Sequence, residues 1–163
     1  MGDRVYGWAM IGPWDRDVVS TSEEGRALLA AIELIDFEDG DEIDDAGVRL
    51  LSLSDGQCNY GTMAFEDDGL VEKAVAAGLW IAVGDDGSVD WDPHHEVHAP
   101  SGESYGFLGE PGSAVVGSDF LARVEAECGG AAAVAFAKVK EHLELGNRSL
   151  GQWIAAAQVA ASS

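Results

Sequence analysis

From Glu33 to Asp45 the chain reads ELIDFEDGDEIDD, eight acidic side chains in thirteen residues, with no base between Arg26 and Arg49 to offset them. Like charges at helical or cross-strand spacing repel, and a core does not accept unpaired carboxylates. Whatever fold the chain adopts must turn this segment toward water, and most of it is expected to be a solvated loop. The bias extends well beyond the run. Residues 1–117 hold 25 Asp and Glu against 5 Lys and Arg, whereas residues 118–163 hold 5 against 4. The formal net charge of -21 therefore belongs almost wholly to the first part of the chain. Asymmetry of this kind bears on partners and solubility more than on fold.

The chain has 163 residues, 47% of them hydrophobic, which is enough for one ordinary core. The charge step divides it into an acidic α+β domain over 1–117 and a near-neutral helical extension over 118–163, packed together as one unit. No stretch approaches 18 consecutive apolar residues, and Met1-Gly2-Asp3-Arg4 is not a basic start leading into an apolar signal core. Neither a membrane span nor a signal peptide is expected, and the chain reads as cytoplasmic. Cys58 and Cys128 are too few and too far apart for a disulfide framework and read as reduced thiols.

Hydrophobic spacing predicts a strand over 4–11 and a helix over 22–35, the latter opened by capping boxes from Ser20 and Thr21 to Glu23 and Glu24. Val48–Ser54 and Gln57–Phe65 read as a hairpin turning at Asp55-Gly56, a favoured turn pair. Asp68 is placed to cap a short helix over 69–77 that ends at Gly78. Leu79–Val83 and Ser88–Asp92 read as strands around Asp85-Asp86-Gly87. The order β-α-β-β-α-β with one extra strand is that of a ferredoxin-like sheet. Residues 93–117, rich in Gly, Pro and Ser, read as a long connection. Helices are predicted at 118–128, 131–145 and 149–161, the last with a Ser149/Gln152 capping box. Their many alanines permit close packing on the sheet or, in a homodimer, on a second subunit.

One segment is chemically suggestive. Asp90, Asp92, His94, Glu96 and His98 crowd imidazole and carboxylate together, a ligand set suited to a divalent Zn, Mn or Fe ion. On an extended backbone His94, Glu96 and His98 share one side. The spacing is not that of a helical H-E-x-x-H site, and no remote further ligand is evident. A polar strand with histidines tempering local acid explains the same residues. Carboxylates beside these histidines would also make the segment's charge sensitive to pH.

Other chemistry is disfavoured. No G-x-x-x-x-G-K or G-x-S-x-G is present, and no base lies between Lys73 and Arg123 to meet a phosphate. The acidic run lacks the order of ligands in a calcium loop. Direct binding to nucleic acid needs a basic footprint, and this chain has the reverse.

Three readings of function remain. The first is an acidic binding or inhibitory protein that covers a basic surface on a protein partner, a nucleic-acid-binding protein being one such partner. Dense Asp and Glu can imitate the phosphates a nuclease or defence system expects, as in anti-restriction, anti-CRISPR and immunity-type inhibitors. Its surface would comprise Glu38, Asp39, Asp41, Glu42, Asp44 and Asp45, then Asp67, Asp68, Asp85 and Asp86, which are equally placed to cap helix and hairpin ends. Trp14, Phe37, Tyr60, Trp91 and Tyr105 would serve as anchors if exposed and as core if not. The second reading is a small metal-dependent enzyme built on 90–98. The third is acidity serving solubility alone, which should coat every face, whereas the last 46 residues are nearly neutral. The balance favours a binding protein without a cofactor over an enzyme.

Overall fold

The computed structural model describes residues 5–34, 40–58, 69–87 and 92–163. The fold is α+β. Six antiparallel strands form one sheet in the order β2-β3-β1-β4-β5-β6. They are β1 (Val5–Gly12), β2 (Asp41–Asp45), β3 (Val48–Cys58), β4 (Trp80–Asp85), β5 (His94–His98) and β6 (Ser104–Leu108). The helices are α1 (Arg16–Val19), α2 (Glu23–Leu34), α3 (Leu70–Ala76), α4 (Ser118–Cys128), α5 (Ala132–Gly146) and α6 (Leu150–Ser162). This six-stranded order does not establish the ferredoxin-like arrangement expected from element order, because β5 and β6 extend the sheet beyond β4.

Strand alternation sorts the apolar side chains onto two faces. On one, Ala9 and Ile11 of β1, Leu51 and Leu53 of β3, and Ile81 and Val83 of β4 meet Leu28 of α2 and Leu70 and Ala74 of α3. On the other, Val48, Leu50, Ala82, Val97 and Phe107 meet Leu150, Trp153 and Ile154 of α6. Trp8, Met10, Trp80 and Tyr105 pack against this second cluster. The molecule is thus a sheet between two helical layers. At the outer surface, Val134 and Phe136 of α5 and Val159 of α6 stay exposed.

Several elements differ from the sequence expectation. Asp41–Asp45 is not loop but the edge strand β2. Its charge is tolerated because Asp44 lies opposite Arg49, whose guanidinium reaches both Asp44 and Glu42, while Ile43 packs against the core. The turn after it is Ala46-Gly47, with φ of 50° and 77°, the pair of positive values that a two-residue type I′ hairpin requires. Asp55-Gly56 makes no turn. β3 runs through it, and the β1–β3 register slips by one residue between Gly7↔Asp55 and Val5↔Cys58, a bulge. Residues 59–65 of the expected hairpin lie outside the described residues.

Ser22, not Ser20 or Thr21, caps α2, accepting from the Gly25 amide at 2.9 Å. The Ser20 and Thr21 hydroxyls donate back to carbonyls of α1 instead. α3 opens on Gly69 without a side-chain cap, and Asp68 lies outside the described residues, as does most of the strand expected over 88–92. The connection expected over 93–117 contains the β5–β6 hairpin, because His95 and Val97 alternate inward opposite Tyr105 and Phe107. The C-terminal helices lie within a residue of their predicted bounds, and the Ser149/Gln152 capping box forms in both directions.

Candidate functional site

The sequence candidates separate into three places. The first is the β2 edge. Asp41, Glu42 and Asp44 are exposed there, and the Arg49 guanidinium lies 3.3 Å from Asp44 and 4.0 Å from Glu42. Such exposed pairs contribute at most about 1 kcal/mol, and a single cation shared between two acids leaves the edge negative. Asp45 behaves differently. Its carboxylate accepts the Gly151 amide at 2.9 Å, tying the end of β2 to the first turn of α6. A Cβ on Gly151 would collide with the Asp45 backbone, so glycine permits the approach. A carboxylate at a helix N-terminus also meets the positive end of the dipole. Asp45 is therefore a structural cap. Glu38, Asp39, Asp67 and Asp68 lie outside the described residues.

The second place is the outward face of β5. His94, Glu96 and His98 do share that face, as alternation requires. Each histidine is nevertheless engaged separately: His94 Nδ1 lies 2.6 Å from Asp85 Oδ2, and His98 Nε2 lies 3.0 Å from Glu96 Oε2. Asp85 is buried rather than part of an acidic surface, and its other oxygen accepts the Gly87 amide at 2.8 Å. Asp92 is exposed, and Asp90 lies outside the described residues. Among the described residues no group of three or more His, Cys, Asp or Glu side chains converges to hold a metal ion.

The third place was not singled out by the sequence. His95 points to the opposite face and is 1% exposed. Its ring stacks on Phe107 at 5.2 Å between centroids, and Nδ1 lies 2.7 Å from the Gly109 carbonyl. A carbonyl only accepts, so Nδ1 carries the proton and Nε2 presents a lone pair. That Nε2 is buried and makes no hydrogen bond of full geometry, although the Gly146 carbonyl acts on the ring as well. Desolvation holds the His95 pKa below the usual imidazole value, against the opposing pull of the Gly109 and Gly146 carbonyls; His94 lowers it slightly further and Glu110 raises it. The ring is a neutral acceptor, and leaving such a group unpaired costs about 1–3 kcal/mol.

His95 belongs to the lining of a cleft of about 500 Å³ between the sheet and the start of α6. Trp8, Met10 and Val97 supply apolar wall from the sheet, and Leu150 supplies it from α6. Trp8 lies flat on Gly84 of β4, where a Cβ would strike the indole. Carboxylates of Asp44, Asp45, Asp86 and Glu110 stand around the cleft with one guanidinium, Arg148, which lies over the Trp153 ring at 5.4 Å. The sequence signal for His95 was available in the alternation of HHEVH, which places it on the same side as Val97.

Of the aromatics weighed as anchors, Trp14 is buried in the core and Tyr105 is half-buried, packed against Trp153 at 4.9 Å. Phe37, Tyr60 and Trp91 lie outside the described residues. No helix among the described residues is long and apolar enough to cross a membrane. No protein-family model, curated protein or solved structure matches the chain.

Proposed function

We propose that the protein is an acidic binding protein that covers a basic surface on a protein partner, with the β2 edge as its contact. The observation that carries this reading is the placement of Asp41, Glu42 and Asp44 in solvent on a strand at the rim of the sheet. Strand geometry holds Glu42 and Asp44 on one face, on the order of 6.6 Å apart along the backbone, with Asp41 on the other. A fixed row of charge complements a fixed basic groove better than a mobile loop does, since less side-chain order is lost on binding. A nuclease or a DNA-binding defence protein presents such a groove, and the protein would then act as an inhibitor by occupying it. Charge on an edge strand also discourages addition of a further strand, which leaves the side chains, not the backbone, to make the contact.

The test is inhibition of a panel of basic nucleases on duplex DNA, at 50 and 300 mM NaCl. The protein should inhibit at least one, with affinity at least tenfold weaker at the higher salt. The variant D41N/E42Q/D44N should lose about tenfold in inhibition. The variant E125Q/E141Q/E144Q, which neutralises exposed acids of the C-terminal helices, should not. Equal losses in both variants would show generic charge rather than a face, and absence of inhibition would remove the reading. Asp45→Asn belongs to a different class, since it should lower stability by about 1 kcal/mol while leaving inhibition intact.

A further inference from the structure

We propose that the groove between α5 and α6 is a self-association surface, on which two copies of this chain pair their α5 helices antiparallel about a two-fold axis and each seats Phe136 in the groove of the other. The proposal does not rest on the β2 edge reading. The first turns of α5, Ala132 to Ala137, carry no charged or polar side chain. A helix that is apolar all round is normally buried, yet here Phe136 is 71% and Val134 52% exposed. α4 covers one side of α5, through the Lys138–Glu127 pair and the stack of Phe120 on His142. Helical spacing puts Phe136, Lys140, Leu143 and Asn147 on the opposite side. Beside them lies an open groove of about 670 Å³, lined from α5 by Lys140, Leu143 and Glu144, from α6 by Gln152 and Ala156, and at its base by Arg148. A turn further out, Val159 continues the α6 wall and is 71% exposed. Two helices with a groove between them suit a third helix as occupant.

Charge selects the occupant. A net charge of -21 makes two copies repel wherever their acidic parts meet, and that charge belongs almost wholly to residues 1–117. Residues 118–163 hold 5 acids against 4 bases, so this is where like can approach like. A basic partner is drawn to the acidic part instead, and an acidic partner is repelled by it. A two-fold contact must also be complementary to itself, residue i meeting j while j meets i. The α5 wall fulfils this condition. Lys140 and Glu144 stand one turn apart, 3.9 Å from each other and both largely exposed. In an antiparallel pair centred level with position 142, Lys140 faces the partner's Glu144, and the reverse contact forms by symmetry. The same register sets Phe136 against the partner's Arg148 at the base of the groove. A guanidinium suits the face of a ring, and Arg148 already lies over Trp153 at 5.4 Å. One register thus pairs the charges twice and covers the exposed ring twice.

The experiment is sedimentation of the full chain at about 5 to 200 µM, in about 0.1 M and about 0.5 M NaCl. The mass should rise with concentration from one chain, 17.1 kDa, to two chains and no further, because a two-fold contact closes on itself. Association should strengthen at the higher salt, where repulsion between two chains of one sign is screened. Binding at the β2 edge has the opposite salt dependence, so failure of one reading is distinguishable from failure of the other. Phe136→Asp changes an exposed side chain and should weaken the dimer at least about tenfold. Val134→Asp adds the same charge on the other side of the same helix and should leave the dimer within about twofold of the parent. K140E and E144K should each weaken self-association about tenfold, since each sets like charges against one another at both contacts. An equimolar mixture of those two variants has opposite charges at both contacts and should recover the parent's association. A purely intrahelical role for the pair would not produce that recovery. The proposal is overturned if the chain keeps the single-chain mass at about 200 µM in both salts, which would leave the groove to a helix of another protein. It is overturned equally if V134D disrupts the dimer as F136D does, or if the mixture associates no better than either variant alone.

Discussion

The two faces of the sheet are built from different materials. Under α2 and α3 the buried side chains are almost all branched aliphatics and alanine, with Trp14 at the margin. Under α6 the packing is dominated by rings: Trp8, Trp80, Tyr105, Phe107 and Trp153, with His95 among them. Aliphatic side chains on a helix interdigitate and close the space beneath them. Rings stack and tilt against one another, as Trp80 does on Trp153 at 6.4 Å and Phe107 on His142 at 5.0 Å. Their planes leave a cleft, and their nitrogens need partners. Both buried side-chain polar atoms without a partner among the described residues, His95 Nε2 and Trp153 Nε1, lie on the ring-built face. One face is thus finished as a core, while the other has bonding capacity left over.

The same substitution made on each face tests this contrast most severely. Leu28 is 0% and Leu150 3% exposed, so they differ little in burial. Leu28→Ala, in the closed cluster, should cost about 4 kcal/mol, and Leu150→Ala about 2 kcal/mol, because one side of Leu150 already borders open cleft and has fewer contacts to lose. Urea denaturation of both variants decides it, and equal losses would mean the ring-built face is packed as tightly as the other.

Acid should discriminate between the faces by a smaller amount. His142, stacked on Phe120 at 4.0 Å between centroids, has its pKa held below the usual imidazole value by desolvation and then by the charge of Arg123. The unfolded chain therefore takes up a proton there more readily than the folded one. Its contribution to stability is intact above about pH 6.5 and is lost as the pH falls from there toward the folded value. The Tm should drop between pH 7.5 and 5.5, and the drop should be smaller in His142→Phe. No change of slope in that variant would show that His142 is not the acid-sensitive group of the ring-built face, leaving His95, whose pKa desolvation also lowers.

The mildest change leaves both faces untouched. Ala46 holds φ of 50° in the β2–β3 turn, a region that Asn and Gly tolerate better than Ala. Ala46→Asn should raise stability by about 0.5–1 kcal/mol in the same denaturation experiment. In that background the two leucine variants should keep their difference, since the turn touches neither residue.

Much of the layering was legible from the sequence because it rests on periodicity. The α6 capping box, the Gly78 stop after α3 and the strands expected at 4–11 and 79–83, formed at Val5–Gly12 and Trp80–Asp85, follow from local pattern and local chemistry. The errors share a cause, which is that partners distant in sequence outweighed local preference. Eight acids argued for a loop until Arg49 and the α6 amide took up three of them. Asp-Gly argued for a turn, yet β1 offers a partner along β3 from Leu51 to Cys58, and the pair became part of a bulge instead. In the histidine segment, attention to ligand types drew the eye to His94, Glu96 and His98. The residue that is buried and unsatisfied, His95, is the one that alternation hides among them.

The bond from Gly151 to Asp45 spans 106 residues of sequence. During synthesis β2 is made long before the start of α6 exists, so the acidic rim first forms without that anchor. Pairing with β3 along its whole length already places β2, and α6 adds a fastening at its end. A chain interrupted before α6 would carry every charge of the edge and lack the fastening that orients it. A fragment with the same acidic residues would hold the end of β2 by its pairing with β3 alone.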